Sequence, residues 1–168
     1  FLPKLVAAFD HRHVFIDPDP DPDRSWRERR RLFRLPRSSW TDYRPGVLSR
    51  GGGVWGRAEK GIRLPEPARR LLGLGAGATD GEAVVRAILI LPVDLLWNGG
   101  IGTYVKASDE SHADVGDPAN DGVRIDASAL RARVIGEGGN LGLTQRARLE
   151  AARRGVRLNN DAIDNAGG

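Results

Sequence analysis

The chain has 168 residues, of which 40% are apolar and 29% charged, which is ordinary for a folded globular chain. Its formal charge is +4, and only Lys4, Lys60 and Lys106 among its 26 basic residues are lysines. The lack of cysteine excludes disulfides and thiolate metal sites, and no apolar run approaches the roughly 18 residues of a membrane helix, so we expect no membrane association.

The arginine excess could indicate nucleic-acid binding. The basic residues are spread along the chain and interleaved with acidic ones, which favours a general arginine-rich composition instead. In residues 26–34, Trp26 and Phe33 stand among arginines, so an RNA-binding module is kept as an alternative. We expect an amphipathic helix there, with Leu32 and Phe33 packed and the arginines in water, and therefore no nucleic-acid partner.

The first half of the chain is predicted to combine short strands with helices. Short apolar runs indicate strands, whereas a serine or threonine followed three residues later by glutamate indicates a helix start. Ser25 and Thr79 have that spacing, and Gly73 is placed to end a helix. The predicted elements are strands at 5–9 and 14–16, helices at 26–33, 65–72 and from 79 through 91, and loops over 37–64.

The second half is predicted to alternate strands and helices. Thr144 and Gly155 are suited to begin and end one of these helices. A strand, a helix and a strand with short links form a βαβ unit, and such units build parallel sheets. The predicted elements are strands at 93–97, 133–136 and 156–158, and helices near 117–123 and at 143–154.

Asp10 directly follows the first predicted strand. In a dinucleotide fold, a carboxylate at the tip of the second strand accepts hydrogen bonds from the adenosine ribose and repels a 2′-phosphate. The position equally suits an ordinary acidic residue at a strand end, and the glycine-rich loop expected about 20 residues earlier is not in the chain. His11 and His13 lack a third ligand at a fixed spacing, so we expect no metal site.

Turns rich in glycine and asparagine follow three of the predicted strands. They lie at residues 98–102 (NGGIG), 137–140 (EGGN) and 165–168 (NAGG). Ligands of open α/β folds bind at the carboxyl ends of strands, and glycine lets the backbone approach a ligand closely. We therefore predict that the three turns lie on the same side of one sheet and line a shared cleft.

These turns resemble a known family. The order of residues 137–140, Asp161 and residues 165–168 is similar to the cofactor domain of glutamate dehydrogenases and related amino-acid dehydrogenases. The resemblance covers nearly the whole chain and is narrowest to the large, NAD-specific bacterial type. The segments that carry it are residues 49–53 (SRGGG), 94–104 (DLLWNGGIGTY), 114–117 (DVGD) and 138–145 (GGNLGLTQ).

The resemblance implies an enzyme that deaminates L-glutamate oxidatively to 2-oxoglutarate and ammonia and passes hydride to NAD. It implies cofactor-binding positions at Asp10, near the adenosine ribose, and at Asn98 with Gly99, Asn140 and Asn165, near the nicotinamide end. Asparagine suits that position because its amide donates and accepts hydrogen bonds at once. The family's catalytic lysine and aspartate match no motif here, so we name no catalytic residue.

The implied fold is α/β, a Rossmann-like parallel sheet with flanking helices, incomplete at both ends. Residues 1–168 are expected to be part of one NAD-binding domain and an internal piece of a longer protein, because the chain lacks methionine and ends abruptly at Gly168. The parent is expected to be a cytoplasmic homo-oligomer, and the piece alone inactive. Besides the RNA-binding module, the cofactor domain of another amino-acid dehydrogenase is kept as an alternative.

Overall fold

The computed structural model describes residues 2–165 as a mixed α/β structure, which confirms the predicted fold class at that level. The chain divides into two compact units, Phe1–Ile88 and Leu89–Gly168. None of the helices within the described residues has the length and apolar character of a membrane span.

An antiparallel sheet forms the centre of the first unit. Its strands β1 (Ala7–Phe9), β2 (His13–Ile16) and β3 (Gly53–Gly56) are hydrogen-bonded in that order. Phe15 in β2 is fully buried and packs with Leu32 and Tyr43. The strands predicted at 5–9 and 14–16 are thus present with slightly different ends, and they pair with each other as a hairpin.

Helix α1 (Pro22–Arg34) begins earlier than the sequence predicted. Its N-cap is Asp21, whose side chain accepts the amide of Arg24 at 2.8 Å, so the predicted cap at Ser25 is wrong. Pro22 occupies the first turn, where a missing N–H is tolerated. Ser25 and Glu28, the predicted capping pair, are instead buried inside the helix.

Shorter elements complete the first unit. Strands β4 (Lys60–Ile62) and β5 (Thr79–Asp80) pair in antiparallel fashion. Helix α2 (Glu66–Leu72) ends at Gly73 in the left-handed conformation, as predicted. Helix α3 (Gly81–Leu89) follows Asp80, whose side chain accepts the amide of Ala83 at 2.7 Å, so the predicted cap at Thr79 is wrong.

A three-stranded parallel sheet organises the second unit. The elements of this unit are β6 (Leu95–Asn98), β7 (Val105–Lys106), α4 (His112–Val115), β8 (Ile125–Asp126), β9 (Val134–Glu137), α5 (Gln145–Arg153), β10 (Arg157–Leu158) and α6 (Asp161–Asp164). Strand order is β10-β9-β6, and β7 pairs with β8 in a separate parallel ladder. The predicted βαβ unit is confirmed, because α5 connects the parallel neighbours β9 and β10.

Local capping explains where the helices of the second unit begin. The Thr144 side chain accepts the amide of Ala147 at 3.0 Å and starts α5, as the sequence predicted. The helix predicted near 117–123 is wrong. The short α4 lies earlier, where Ser111 and Asp114 cap each other's backbone amides, and only a 3-10 turn, Pro118–Asn120, follows.

Trp97 lies flat against the neighbouring strand. It is 57% exposed, and its ring covers Gly136 and Gly138. A Cβ atom at either glycine would come within 2.6 Å of the indole ring, which is closer than real side chains approach. A side chain at either position would therefore displace the indole from the strand.

Candidate functional site

Two of the turns singled out by sequence lie at one edge of the parallel sheet, and Asn165, the first residue of the third, contacts the second of them. β6 ends at Asn98 and β9 ends at Glu137, and the amide of Gly138 donates to the Asn98 carbonyl at 2.9 Å. Asn165 Nδ2 donates to Asn140 Oδ1 at 3.0 Å. For these residues the predicted proximity is confirmed, but Asn165 ends α6 (Asp161–Asp164) and does not directly follow a strand as predicted. Residues 166–168 lie outside the described residues.

Asn98 holds a buried polar atom that is not satisfied. Its Nδ2 is buried and has no hydrogen-bond partner among the described residues. A Cβ atom at Gly142 would overlap Asn98 Nδ2 and would lie 3.0 Å from Glu137 Oε2, so both polar atoms border the same glycine. Because a buried donor without an acceptor costs about 1–3 kcal/mol, Asn98 is suited to donate to a ligand oxygen.

Glu137, the last residue of β9, has a deeply buried carboxylate with 1% exposure. Its carboxylate accepts hydrogen bonds from Arg148 Nε at 2.9 Å and Nη2 at 3.0 Å. It also accepts a hydrogen bond from the backbone amide of Gly142 at 2.8 Å. These donors fix the orientation of the carboxylate. Glu137 therefore fixes the turn that follows it and is not placed for proton transfer.

Two aspartates of α6 hold the same turn from the other side. Asp161 Oδ2 accepts the amide of Leu141 at 2.9 Å, and Asp164 Oδ2 accepts the amide of Glu137 at 3.1 Å. The Leu141 amide lowers the pKa of Asp161, burial opposes that shift, and the charge of Arg148 lowers the pKa further. The Asp161 carboxylate is thus stabilised in the charged form by the turn it holds.

The turn conformation itself is unusual. Leu141 has φ +55°, in the left-handed region that side chains other than glycine rarely adopt. Its amide donates a hydrogen bond to Asp161, and its carbonyl accepts a hydrogen bond from Thr103 Oγ1 at 2.7 Å. Contacts at both polar groups therefore hold Leu141, and the neighbouring Asn140, in one conformation.

Gly99, Gly100 and Ile101, in the turn after β6, are exposed. The base of this turn is anchored, because the amide of Thr103 donates to Asp117 Oδ2 at 2.9 Å and Arg124 Nε donates to the Thr103 carbonyl at 2.8 Å. Gly99 itself is bordered by the Trp97 indole. The backbone of the turn at Gly99 is therefore open to solvent, while its end at Thr103 is held in place.

Asp10 lies in the first unit, in the turn between β1 and β2. Its Oδ1 accepts the amides of Arg12 and His13, each at 2.7 Å. The side chain is 33% exposed. Asp10 therefore stabilises the hairpin turn, a structural role that the sequence also allowed, while part of its carboxylate faces solvent.

Helix α1 only partly follows its sequence prediction. Leu32 is buried as expected, but Phe33 is 91% exposed, so the prediction that both pack is wrong. Arg31 is bound to Glu28, and the Arg29 guanidinium stacks over Trp26 at 5.4 Å from the ring centre. Within residues 2–165, no three histidine, aspartate or glutamate side chains come together as candidate metal ligands.

The fold and the site together define a class of protein: an α/β protein whose parallel sheet gathers amide-bearing turns at the carboxyl ends of its strands, where such folds bind ligands. Residues 3–168 match the family described as bacterial NAD-glutamate dehydrogenase, catalytic domain, and the chain belongs to that family. The resemblance in the sequence motifs is therefore confirmed.

Curated relatives agree with the family. The chain is 56% identical over 172 residues to the NAD-specific glutamate dehydrogenase of Mycobacterium tuberculosis. It is 54% identical to that of Halomonas elongata and 55% identical to that of Pseudomonas aeruginosa, each over 165 residues. These alignments cover 98% of this chain but 10% of each relative, so the chain spans about a tenth of their length. The two alternatives from the sequence gain no support.

Three residues that hold the site were not among the cofactor-binding residues predicted from the sequence. Glu137, Arg148 and Asp161 join α5 to two of the turns. One signal was present: Arg148 lies between Ala147 and Ala151, the small residues that α5 buries. A charged residue on the buried face of a helix needs a partner, and the carboxylates of the neighbouring turns are the available ones.

Proposed function

We propose that this chain is part of the NAD-binding portion of a glutamate dehydrogenase, which deaminates L-glutamate oxidatively to 2-oxoglutarate and ammonia. The family membership and the names of the relatives support this function. The observation that carries it is the meeting of Asn140 and Asn165 at the edge of the parallel sheet, beside the unsatisfied amide of Asn98.

The residues at this edge fit the nicotinamide end of NAD. Asn98 Nδ2 is a buried donor without an acceptor among the described residues, as a ligand carbonyl or hydroxyl would provide. The Asn140–Asn165 bond uses one Oδ1 and one Nδ2, which leaves Asn140 Nδ2 and Asn165 Oδ1 as a donor and an acceptor. The carboxamide and ribose hydroxyls of NAD are complementary to such a set.

In the proposed reaction, bound NAD supplies the hydride acceptor. The residues of this chain bind and orient it: Asn98, Asn140 and Asn165 through their amides, and Gly99 by allowing close approach of the backbone. The rigid turn around Leu141 keeps the asparagines in place before the cofactor arrives, which lowers the entropic cost of binding.

We propose that Asp10 contributes to cofactor choice. A carboxylate near the adenosine ribose accepts its hydroxyls and repels the additional phosphate of NADP. This role is supported by the partial exposure of the Asp10 carboxylate and by the word NAD-specific in the relatives' names.

The wider setting is part of the same proposal. Residues 1–168 belong to one NAD-binding domain in which β6, β9 and β10 form part of a Rossmann-like sheet. The substrate domain lies elsewhere in a cytoplasmic, homo-oligomeric parent that acts on small molecules and not on nucleic acids or membranes.

The direct test is an assay of the full-length protein that carries this chain. We expect NADH to form from NAD and L-glutamate with release of ammonia, and much more slowly from NADP. Alanine and leucine serve as control substrates. Turnover of one of these with no reaction of glutamate would refute the substrate, and a failure to bind NADH would refute the cofactor site.

A further inference from the structure

One buried arginine joins two of the turns at the sheet edge. Arg148 on α5 is 6% exposed. Its guanidinium makes two hydrogen bonds to Glu137, at 2.9 and 3.0 Å, and lies 3.4 Å from Asp161 Oδ1. Glu137 ends β9 and Asp161 begins α6, so the arginine connects the segments that carry Asn140 and Asn165.

The same two carboxylates bind the backbone between them. Glu137 Oε2 accepts the amides of Gly142 and Leu143, at 2.8 and 3.4 Å, and Asp161 Oδ2 accepts the amide of Leu141 at 2.9 Å. Three consecutive backbone amides of the turn therefore donate hydrogen bonds to Glu137 and Asp161. The guanidinium of Arg148 contacts both of these carboxylates. A displacement of either carboxylate therefore displaces the turn that is hydrogen-bonded to it.

Removing the arginine would leave two poorly solvated carboxylates facing each other. Glu137 is 1% exposed and the side chain of Asp161 14% exposed, so water screens their repulsion weakly. Without the guanidinium between them, the like charges repel each other and move apart. Their separation alters the hydrogen bonds to the turn and the spacing of Asn140 and Asn165.

We infer that Arg148 is a positioning residue for the cofactor site, which sets the spacing of Asn140 and Asn165 by clamping Glu137 and Asp161. This inference rests on the proposed function. The planar guanidinium donates two parallel bonds to Glu137 while the same group faces Asp161. Lysine has one ammonium on a flexible chain and cannot reproduce that geometry.

The chain offers a matched control on the same helix. Arg146 pairs with Asp109 across the surface, with side-chain exposures of 56% and 68%. It lies outside the site, and exposed pairs contribute little. Arg146→Met therefore removes the same type of charge without touching the clamp.

The experiment compares Arg148→Met, Arg148→Lys and Arg146→Met in the full-length protein. Hydrogen exchange of the peptide that contains Leu141, Gly142 and Leu143 is measured without ligand, and NADH binding is measured by fluorescence without glutamate. We expect Arg148→Met to speed exchange and weaken NADH binding, each on the order of tenfold or more, while the KM for glutamate changes little. Arg148→Lys should fall between wild type and Arg148→Met, and Arg146→Met should match wild type.

Three results would overturn the inference. The first is unchanged exchange in this peptide for Arg148→Met. The second is full NADH affinity in a variant whose exchange is faster, because the arginine would then be structural only. The third is wild-type behaviour of Arg148→Lys, which also carries the test if Arg148→Met does not fold. Failure of the wild-type protein to bind NADH would instead refute the proposed function, and the ligand-free exchange would still report on the clamp.

Discussion

Replacing Gly142 with alanine is expected to loosen the Asn140 turn and weaken cofactor binding together. The new methyl group would overlap Asn98 Nδ2, would lie 2.7 Å from Asn98 Cγ, and would lie 3.0 Å from Glu137 Oε2. Asn98 must therefore rotate or the turn must shift. Either movement disturbs the amide donor that we propose for the cofactor and the bonds from the turn to Glu137.

The expected size follows from the kind of contact. Overpacking of a well-filled site costs about 1–3 kcal/mol, and the half-buried Asn98 can yield partly, so we expect the middle of that range. A change of about 1–3 kcal/mol corresponds to roughly 5- to 150-fold in an equilibrium. The amides of Gly142 and Leu143 donate hydrogen bonds to Glu137. Their hydrogen exchange should therefore become faster by roughly 5- to 150-fold.

Two further variants isolate the cause. Gly100→Ala is the matched control, because a Cβ at Gly100 meets no described atom within 4 Å. Asn98→Ala removes the two atoms nearest the methyl group at position 142, Nδ2 and Cγ, and leaves Glu137 Oε2 at 3.0 Å. In the double variant, exchange should return close to that of Asn98→Ala alone, whereas NADH binding stays weak.

This comparison can refute the reasoning. If the effects of Gly142→Ala and Asn98→Ala on exchange simply add, the two residues do not compete for the same space. If Gly100→Ala accelerates exchange as much as Gly142→Ala, the effect belongs to any loss of glycine in these turns. Unchanged NADH affinity in Gly142→Ala would remove Asn98 from the proposed cofactor site.

Three other substitutions test separate parts of the site. Asn165→Ala, which removes the donor to its asparagine partner, should weaken NADH binding about two- to tenfold; unchanged binding would exclude this residue from the site. Asp10→Ser should raise the activity with NADP relative to NAD, and an unchanged ratio would contradict a ribose contact. The pKa of Asp161 is lowered chiefly by the Leu141 amide, against the opposing effect of burial, and additionally by Arg148. Because the folded pKa lies below the unfolded value, its stabilisation is present above that value and is lost as the pH falls from about 5 downward. The temperature at the midpoint of unfolding should therefore fall less over this pH range in Asp161→Asn than in the wild type. An equal fall in both proteins would contradict the assignment.

The sequence predicted the second unit best because its signals are local. Thr144 and Gly155 mark the limits of α5 within single turns of helix, and the apolar runs on either side mark β9 and β10. These signals depend on few neighbours, so they survive without knowledge of the tertiary structure. The βαβ unit and its parallel pairing followed from them.

The errors at the start of α1 and in β3 and β4 occur where proline or glycine obscures the pattern. The start of α1 was missed because Asp21 and Pro22 belong to an alternation of aspartate and proline that resembles an extended loop. β3 and β4 were taken for loops because Gly53, Gly56 and Gly61 interrupt the alternation that marks a strand. In each case, pairing with distant strands or a single cap decided the structure.

The candidate site was predictable only in part. The proximity of the turns that carry Asn98 and Asn140 was predictable because the ends of parallel strands meet at one edge, whereas Asn165 reaches Asn140 from the end of α6. The clamp of Arg148 with Glu137 and Asp161 was not, because it depends on which carboxylates α5 faces after folding. Local patterns do not specify such pairings.

The contact of Trp97 with two glycines has a consequence for how this protein can diverge. The indole occupies the space that a side chain at Gly136 or Gly138 would need, so a substitution at either glycine displaces the tryptophan from the sheet. In descendants that replace the tryptophan with a small residue, both positions become free to vary. Drift at these three sites should therefore be correlated, and the aromatic residue should be lost first.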